Sequence, residues 1–207
     1  MTQPSDTERL QTLLDRTEIF DLVRTERLAR DLLDWPELLA SYVPGSPVRT
    51  TWFDGTIEGF VEGSRQKMAS GSTAKHWIMP TKLRLNGVRG TIESPATIFA
   101  RQQLDGVEFD LFQYCRFFSR LLKTEAGWRL ASFEGIYQRD RMDVLNPADR
   151  PPVDWELVAT LRPSYKFLAY NQIRQGYQVN PELIGDDRPD LLQAFYEQED
   201  NWLETGR

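Results

Sequence analysis

The feature that most constrains this chain is a set of four long β-rich segments between Lys75 and Arg139: HWIMPTKLRL, GTIESPATIFARQ, VEFDLFQYCRFFSRLLK and GWRLASFEGIYQ. They are joined by NGVRG, LDG and TEAG, and a glycine in each junction supplies the positive φ that hairpin turns need. Long strands joined by connections this short pair antiparallel with their sequence neighbours, so the middle of the chain predicts a meander. Pro95 cannot donate to a ladder and is expected at a bulge or on an edge.

Helical segments flank the meander. In residues 17–33, Ile19, Leu22, Val23, Ala29 and Leu33 recur at helical spacing, with Thr17 as the expected N-cap. Asp34 then leads to Pro36 at a helix N1 position, and PELLASYV reads as a second short helix broken by Pro44, Gly45 and Pro47. VRTTWF has strand composition, and a third short helix is expected from Phe60 to Ala69. Beyond the proline-rich NPADRPPVD, three more segments have helical character, with Gly176 and Gly185 as stops. Their large apolar side chains, Tyr165, Phe195 and Trp202 among them, each gain roughly 1.5–3 kcal/mol on burial. The tail is therefore expected to dock on its own core or on a partner subunit.

These elements make an α+β fold: a cone-shaped barrel of curved antiparallel sheet covered by the N-terminal helices, with an appended C-terminal helical segment. The expected division is a cone domain over 1–146 and a hinge with helical extension over 147–207. A net charge of −6 argues against a nucleic-acid partner. No apolar run approaches a membrane span, and MTQPSDTERL lacks a leader's apolar stretch, so a cytoplasmic protein without membrane attachment is expected. The single cysteine, Cys115, rules out an internal disulfide. With the single histidine, His76, it also argues against a Cys/His metal site, and none is expected.

Helices laid over the concave face of a bent sheet leave a cavity, so inward polar residues become candidates. Glu26 and Arg30 fall in the first helix's apolar stripe as an i,i+4 pair. Such a pair is either a solvated flank or the lining of a pocket. Asp31 and Asp34 both sit late in that helix, where a carboxylate opposes the helix dipole. Asp34 is placed to cap the next helix, which leaves Asp31 without a local job. His76 opens the first long strand. A lone histidine is more often structural, but a neutral imidazole held by a carboxylate is the usual catalytic base, and Asp31 is available for that role. Cys115 shares a strand face with Gln113, Phe117 and Ser119, the face without arginines, and reads as a packed residue ahead of a nucleophile.

The order helix–Asp-x-x-Asp-Trp–helix, a strand opening with His76, and a strand beginning Glu125-Ala126-Gly127-Trp128-Arg129 resembles the SnoaL-like branch of the nuclear transport factor 2-like superfamily. Scytalone dehydratase, lindane dehydrochlorinase and bile-acid 7α-dehydratase belong to that superfamily. The resemblance covers about residues 12–140 and implies a cone with an internal pocket. In its lyases an Asp–His dyad abstracts a proton, and those positions fall on Asp31 and His76. The implied pocket wall falls on Trp52, Ser94, Ala96, Phe117 and Phe133, with Cys115 beside them. Two positions depart from the dehydrochlorinase pattern: Glu26 stands where those members have lysine, and Phe133 where they have arginine. Arg30, one turn on, is the available replacement for the missing charge. The second histidine of the scytalone type is absent.

The expected function is a lyase (dehydratase) or isomerase that needs no cofactor and acts on a hydrophobic small molecule, polyketide-like, steroid-like or aromatic. The alternative is a non-catalytic binding or assembly module of the same fold. A homodimer is expected through the opposite sheet face, which carries Tyr114, Arg116 and Phe118.

Overall fold

The computed structural model describes residues 5–69 and 74–207. Residues 1–4, part of the segment read for a leader, lie outside it. Helix α1 (Asp6–Leu32) begins eleven residues before the expected start. Ser5 and Glu8 form a reciprocal capping box there, while the Thr17 hydroxyl donates to Leu13 O within the helix, so Thr17 caps nothing. Leu10, Leu13 and Leu14 in the added turns are exposed, which explains why the buried stripe alone did not reveal them. Leu33 adopts φ +64 and reverses the chain, and the Asp34 side chain then accepts from Glu37 N at 3.2 Å. Asp34 thereby caps α2 (Trp35–Ala40), with Pro36 in its first turn.

Two short strands, β1 (Pro47–Arg49) and β2 (Asp54–Thr56), precede α3 (Ile57–Ala69). The meander follows, and two of its four expected strands are broken. The first divides into β3 (Lys75–Ile78) and β4 (Lys82–Asn86), both paired with β5 (Arg89–Leu104). The last divides into β7 (Gly127–Leu130) and β8 (Phe133–Val144), both paired with β6 (Val107–Thr124). Pro95 lies inside the ladder opposite Arg116, at neither an edge nor a bulge. Its carbonyl accepts from Met79 N at 2.9 Å, so its hydrogen-free nitrogen faces the break between β3 and β4, where no partner is denied a donor.

The sheet runs β2-β1-β8-β6-β5-β3. The expected cone is present as a curved sheet covered by helices, with two corrections. The sheet is mixed, because β1 runs parallel to β8, and it does not close into a barrel. A register shift where Tyr114 and Cys115 face Arg139 and Tyr137 leaves Gln138 as the extra residue and sharpens the bend. The Gly-Trp signature pins α1 to the sheet. Trp128 N donates to Glu18 Oε1 at 2.7 Å and its indole to Asp15 Oδ1 at 3.1 Å. Gly127, at φ +96, has the Glu18 carboxylate where a Cβ would stand, so a side chain there would displace the anchor.

The C-terminal segment forms α4 (Trp155–Thr160), α5 (Lys166–Arg174) and α6 (Pro189–Thr205). α5 packs on β8 and β6 at the open end of the cone. α6 crosses the convex face: Phe118 meets Phe195 at 5.0 Å between ring centres, and Arg120 pairs with Glu199 at 2.8 Å. The face on which pairing between subunits was expected is thus partly covered by the chain's own last helix. Gly176, at φ +86, follows α5 as expected. Gly185 ends no helix. Its neighbours exchange backbone hydrogen bonds with Tyr137, extending the β8 edge beyond β1. Among the described residues no helix is long and apolar enough to cross a membrane.

Candidate active site

The last two turns of α1 lie against β3, and this contact builds the site. Asp31 Oδ1 stands 2.6 Å from His76 Nδ1, and Asp31 Oδ2 accepts from the His76 backbone N at 2.7 Å. Lys75 Nζ also donates to the Asp31 carbonyl, so side chain and backbone both fix this end of the helix to the strand. The two-point grip sets the imidazole's orientation. With Asp31 ionised, Nδ1 carries the proton and Nε2 holds the lone pair.

Burial pulls the His76 pKa down to about 4; the Asp31 hydrogen bond opposes this, and the charges of Arg27 and Arg30 add to it. Burial alone would raise the Asp31 carboxyl, but the hydrogen bonds from His76 outweigh it, and Asp31 stays below its ordinary value. At neutral pH the pair is therefore a carboxylate and a neutral imidazole. This is the ground state of a general base.

His76 borders a cavity of about 850 Å³, counting its mouth. Trp52, Phe117, Phe133 and Arg30 line it as expected. Glu26 and Ser94 do not. They border a separate space of about 270 Å³, divided from the first by Arg27, Phe117 and Phe133, which face both. Glu26 also pairs with its neighbour Arg27 at 2.8 Å instead of Arg30, and accepts from the Tyr42 hydroxyl at 2.9 Å. Ala96 and Cys115 line neither space. The Cys115 thiol donates to Ala96 O at 3.6 Å, and burial pushes its pKa up to about 12, which leaves it no nucleophilic role. Ser94 Oγ is buried without a hydrogen-bond partner among the described residues.

Several lining residues escaped the sequence reading. Arg27 sits with its guanidinium 4.9 Å from the Phe117 ring centre and 4.7 Å from that of Phe133. It follows Val23 by four residues, and that spacing was the signal for it. Lys67 lies on the buried stripe of α3 with Phe60 and Ser64, its ammonium 4.6 Å from the Trp52 ring centre. Burial, reinforced by Arg30, lowers the Lys67 pKa to about 8. Gln113 on β6 and Gln172 on α5 also face the cavity, each with an amide oxygen that meets no donor among the described residues. Gln172 is held by its Nε2 donating to Thr51 Oγ1 at 2.8 Å. Among the described residues no cluster of His, Cys, Asp and Glu could hold a metal ion.

A curved α+β sheet covered by helices defines a fold class, and comparison with known proteins gives the family within it. The SnoaL-like domain family matches residues 11–134, and the chain belongs to that family. A PEP2-like protein of Fusarium vanettenii is 30% identical, over 93% of this chain and 87% of its own length. Pea pathogenicity protein 2 of the same fungus is 31% identical, over 84% of this chain and 77% of its own. The first of these similarities runs well past the family match, so most of the C-terminal extension is shared with that relative. Among solved structures, a putative scytalone dehydratase from Novosphingobium aromaticivorans superposes with a TM-score of 0.53 at 14% identity, covering 68% of this chain and 95% of that one. A putative dehydratase of the NTF2-like family from Streptomyces avermitilis superposes with a TM-score of 0.51 at 11% identity, covering 59% of this chain and 95% of that one, so the fold is nuclear transport factor 2-like.

Proposed function

We propose that this protein is a lyase of the dehydratase type, or an isomerase, that needs no cofactor and abstracts a proton from a hydrophobic small molecule. The observation that carries the reading is the 2.6 Å contact between Asp31 and His76 at the wall of the cavity. His76 Nε2 takes a proton from a carbon beside a carbonyl, and the C–H electron pair becomes the new C=C bond. In a dehydration the C–O bond at the next carbon breaks, and the departing hydroxide takes the proton from Nε2 and leaves as water. In an isomerisation the same proton returns to another carbon. Asp31 holds the tautomer and stabilises the imidazolium, a contribution of roughly 10²–10⁴-fold. Trp52, Phe117 and Phe133 exclude water and shape the site. A binding module of the same fold would have no use for a carboxylate gripping a histidine at two points.

A panel of aryl β-hydroxy ketones, beginning with 4-hydroxy-4-phenyl-2-butanone, tests the reading by NMR in D₂O. Wild type is expected to eliminate water from a member of the panel, or to exchange deuterium beside its carbonyl. His76→Asn is expected to do neither. Indistinguishable rates for the two proteins across the panel would overturn the proposal.

A further inference from the structure

The cavity wall carries a charge excess that proton abstraction does not use. Arg27, Arg30 and Lys67 line the cavity, and among the described residues no carboxylate does. Two carboxylates stand behind them. Glu26 is engaged by Arg27 and Tyr42, and Asp31 by His76. Three cations against two carboxylates leave one positive charge over. The residue left without a hydrogen-bonded counterpart is Arg30: only 4% exposed, with Nη1 buried and no hydrogen-bond partner among the described residues. Burial and the neighbouring Arg27 lower its pKa to about 10, so the fold holds this cation at a cost. A buried guanidinium nitrogen with nothing to donate to is a site awaiting an acceptor.

We propose that the cavity takes a substrate bearing a single carboxylate, seated against the Arg30 guanidinium and the Lys67 ammonium, with its apolar body on Trp52 and Phe60. The rings of Trp52 and Phe60 adjoin at 5.4 Å between centres; Arg30 lies 5.9 Å from the Phe60 ring centre and Lys67 4.6 Å from that of Trp52. The two cationic heads therefore sit over one continuous apolar floor. Arginine supplies the planar fork that a carboxylate matches, and lysine a point charge. One surplus charge suits a monoanion better than a dianionic phosphate. The inference names the substrate class of the proposed lyase site. It also has a chemical consequence: the field of Arg27 and Arg30 weakens His76 as a base, and a bound carboxylate offsets that field. The substrate would thereby strengthen the base that acts on it.

The test compares 2-naphthoate with the neutral, similarly shaped 2-naphthamide by calorimetry at pH 7. Wild type is expected to bind the naphthoate at least about tenfold tighter than the amide, a difference of about 1.4 kcal/mol. Arg30→Gln is expected to lose that preference, Arg30→Lys to keep part of it, and Lys67→Gln to reduce it, each read as the ratio of the two affinities in that variant. His76→Asn should keep the full preference, so a failure of proton abstraction and a failure of anion binding give different patterns. Equal affinity of wild type for the two probes, no naphthoate binding at millimolar concentration, or a preference that survives in Arg30→Gln would overturn the proposal.

Discussion

The two faces of the sheet treat buried charge differently. On the convex face, under α6, buried carboxylates have partners: Glu93 meets Arg116 at 2.7 Å and the Tyr196 hydroxyl at 2.7 Å, and Glu199 takes both ends of the Arg120 fork. Glu134, a half-buried carboxyl there with one buried, unpartnered oxygen, is pushed up to about 8 by desolvation and stays protonated at neutral pH. On the concave face the sum does not close, and Arg30 keeps a buried donor with no acceptor. Matched charge holds a helix on a sheet. Unmatched charge costs stability, and its retention points to a ligand that completes it.

Substitutions separate the two faces, and the largest effect belongs to the dyad. His76→Asn and Asp31→Asn are expected to lower kcat about 10²–10⁴-fold with an unchanged circular dichroism spectrum. In wild type, kcat/KM should rise with pH through about 4, as the His76 imidazolium loses its proton, and fall above about 8, as Lys67 loses its charge. The groups that set these limbs are Asp31, Arg27 and Arg30 around His76, and Arg30 beside Lys67. A profile flat from acid to alkaline pH would remove both groups from the reaction.

Next in size is the convex face. Arg120→Met strands the buried Glu199 carboxylate and is expected to lower unfolding free energy by about 2 kcal/mol in urea titrations, with ligand binding unchanged. The smallest effect on stability is expected where the charge is already unmatched. Arg30→Met should change unfolding free energy by less than about 1 kcal/mol in either direction, while the preference for a carboxylate is lost. A large destabilisation by Arg30→Met would make it a structural residue and erase the contrast between the faces.

What the sequence disclosed follows from the range of each interaction. Hairpin turns and the Asp34 cap are local, so the meander and the α1–α2 junction were legible. Asp31 was a candidate because it had no local duty, and the resemblance to the SnoaL-like lyases paired it with His76. The break after Ile78 falls at Pro80, which cannot donate to a ladder, a signal that the reading of one long strand passed over; the break after Leu130 has no such residue, and β7 and β8 continue one ladder along β6. Glu26 and Arg27 exchanged roles for a similar reason. Both lie near the apolar stripe of α1, and the Phe117–Phe133 pair that draws Arg27 between the two cavities is remote in sequence. Lys67 and Gln172 became site residues only when α3 and α5 closed over the sheet.

The neutral imidazole that Asp31 holds in a field of uncompensated positive charge is directly measurable, because the chain has a single histidine. A ¹⁵N NMR titration of the His76 ring should find Nδ1 protonated and Nε2 bare, with a midpoint near 4 in the free protein that rises when 2-naphthoate is bound. A midpoint at or above the ordinary 6.5, or a proton on Nε2 in the neutral ring, would contradict it.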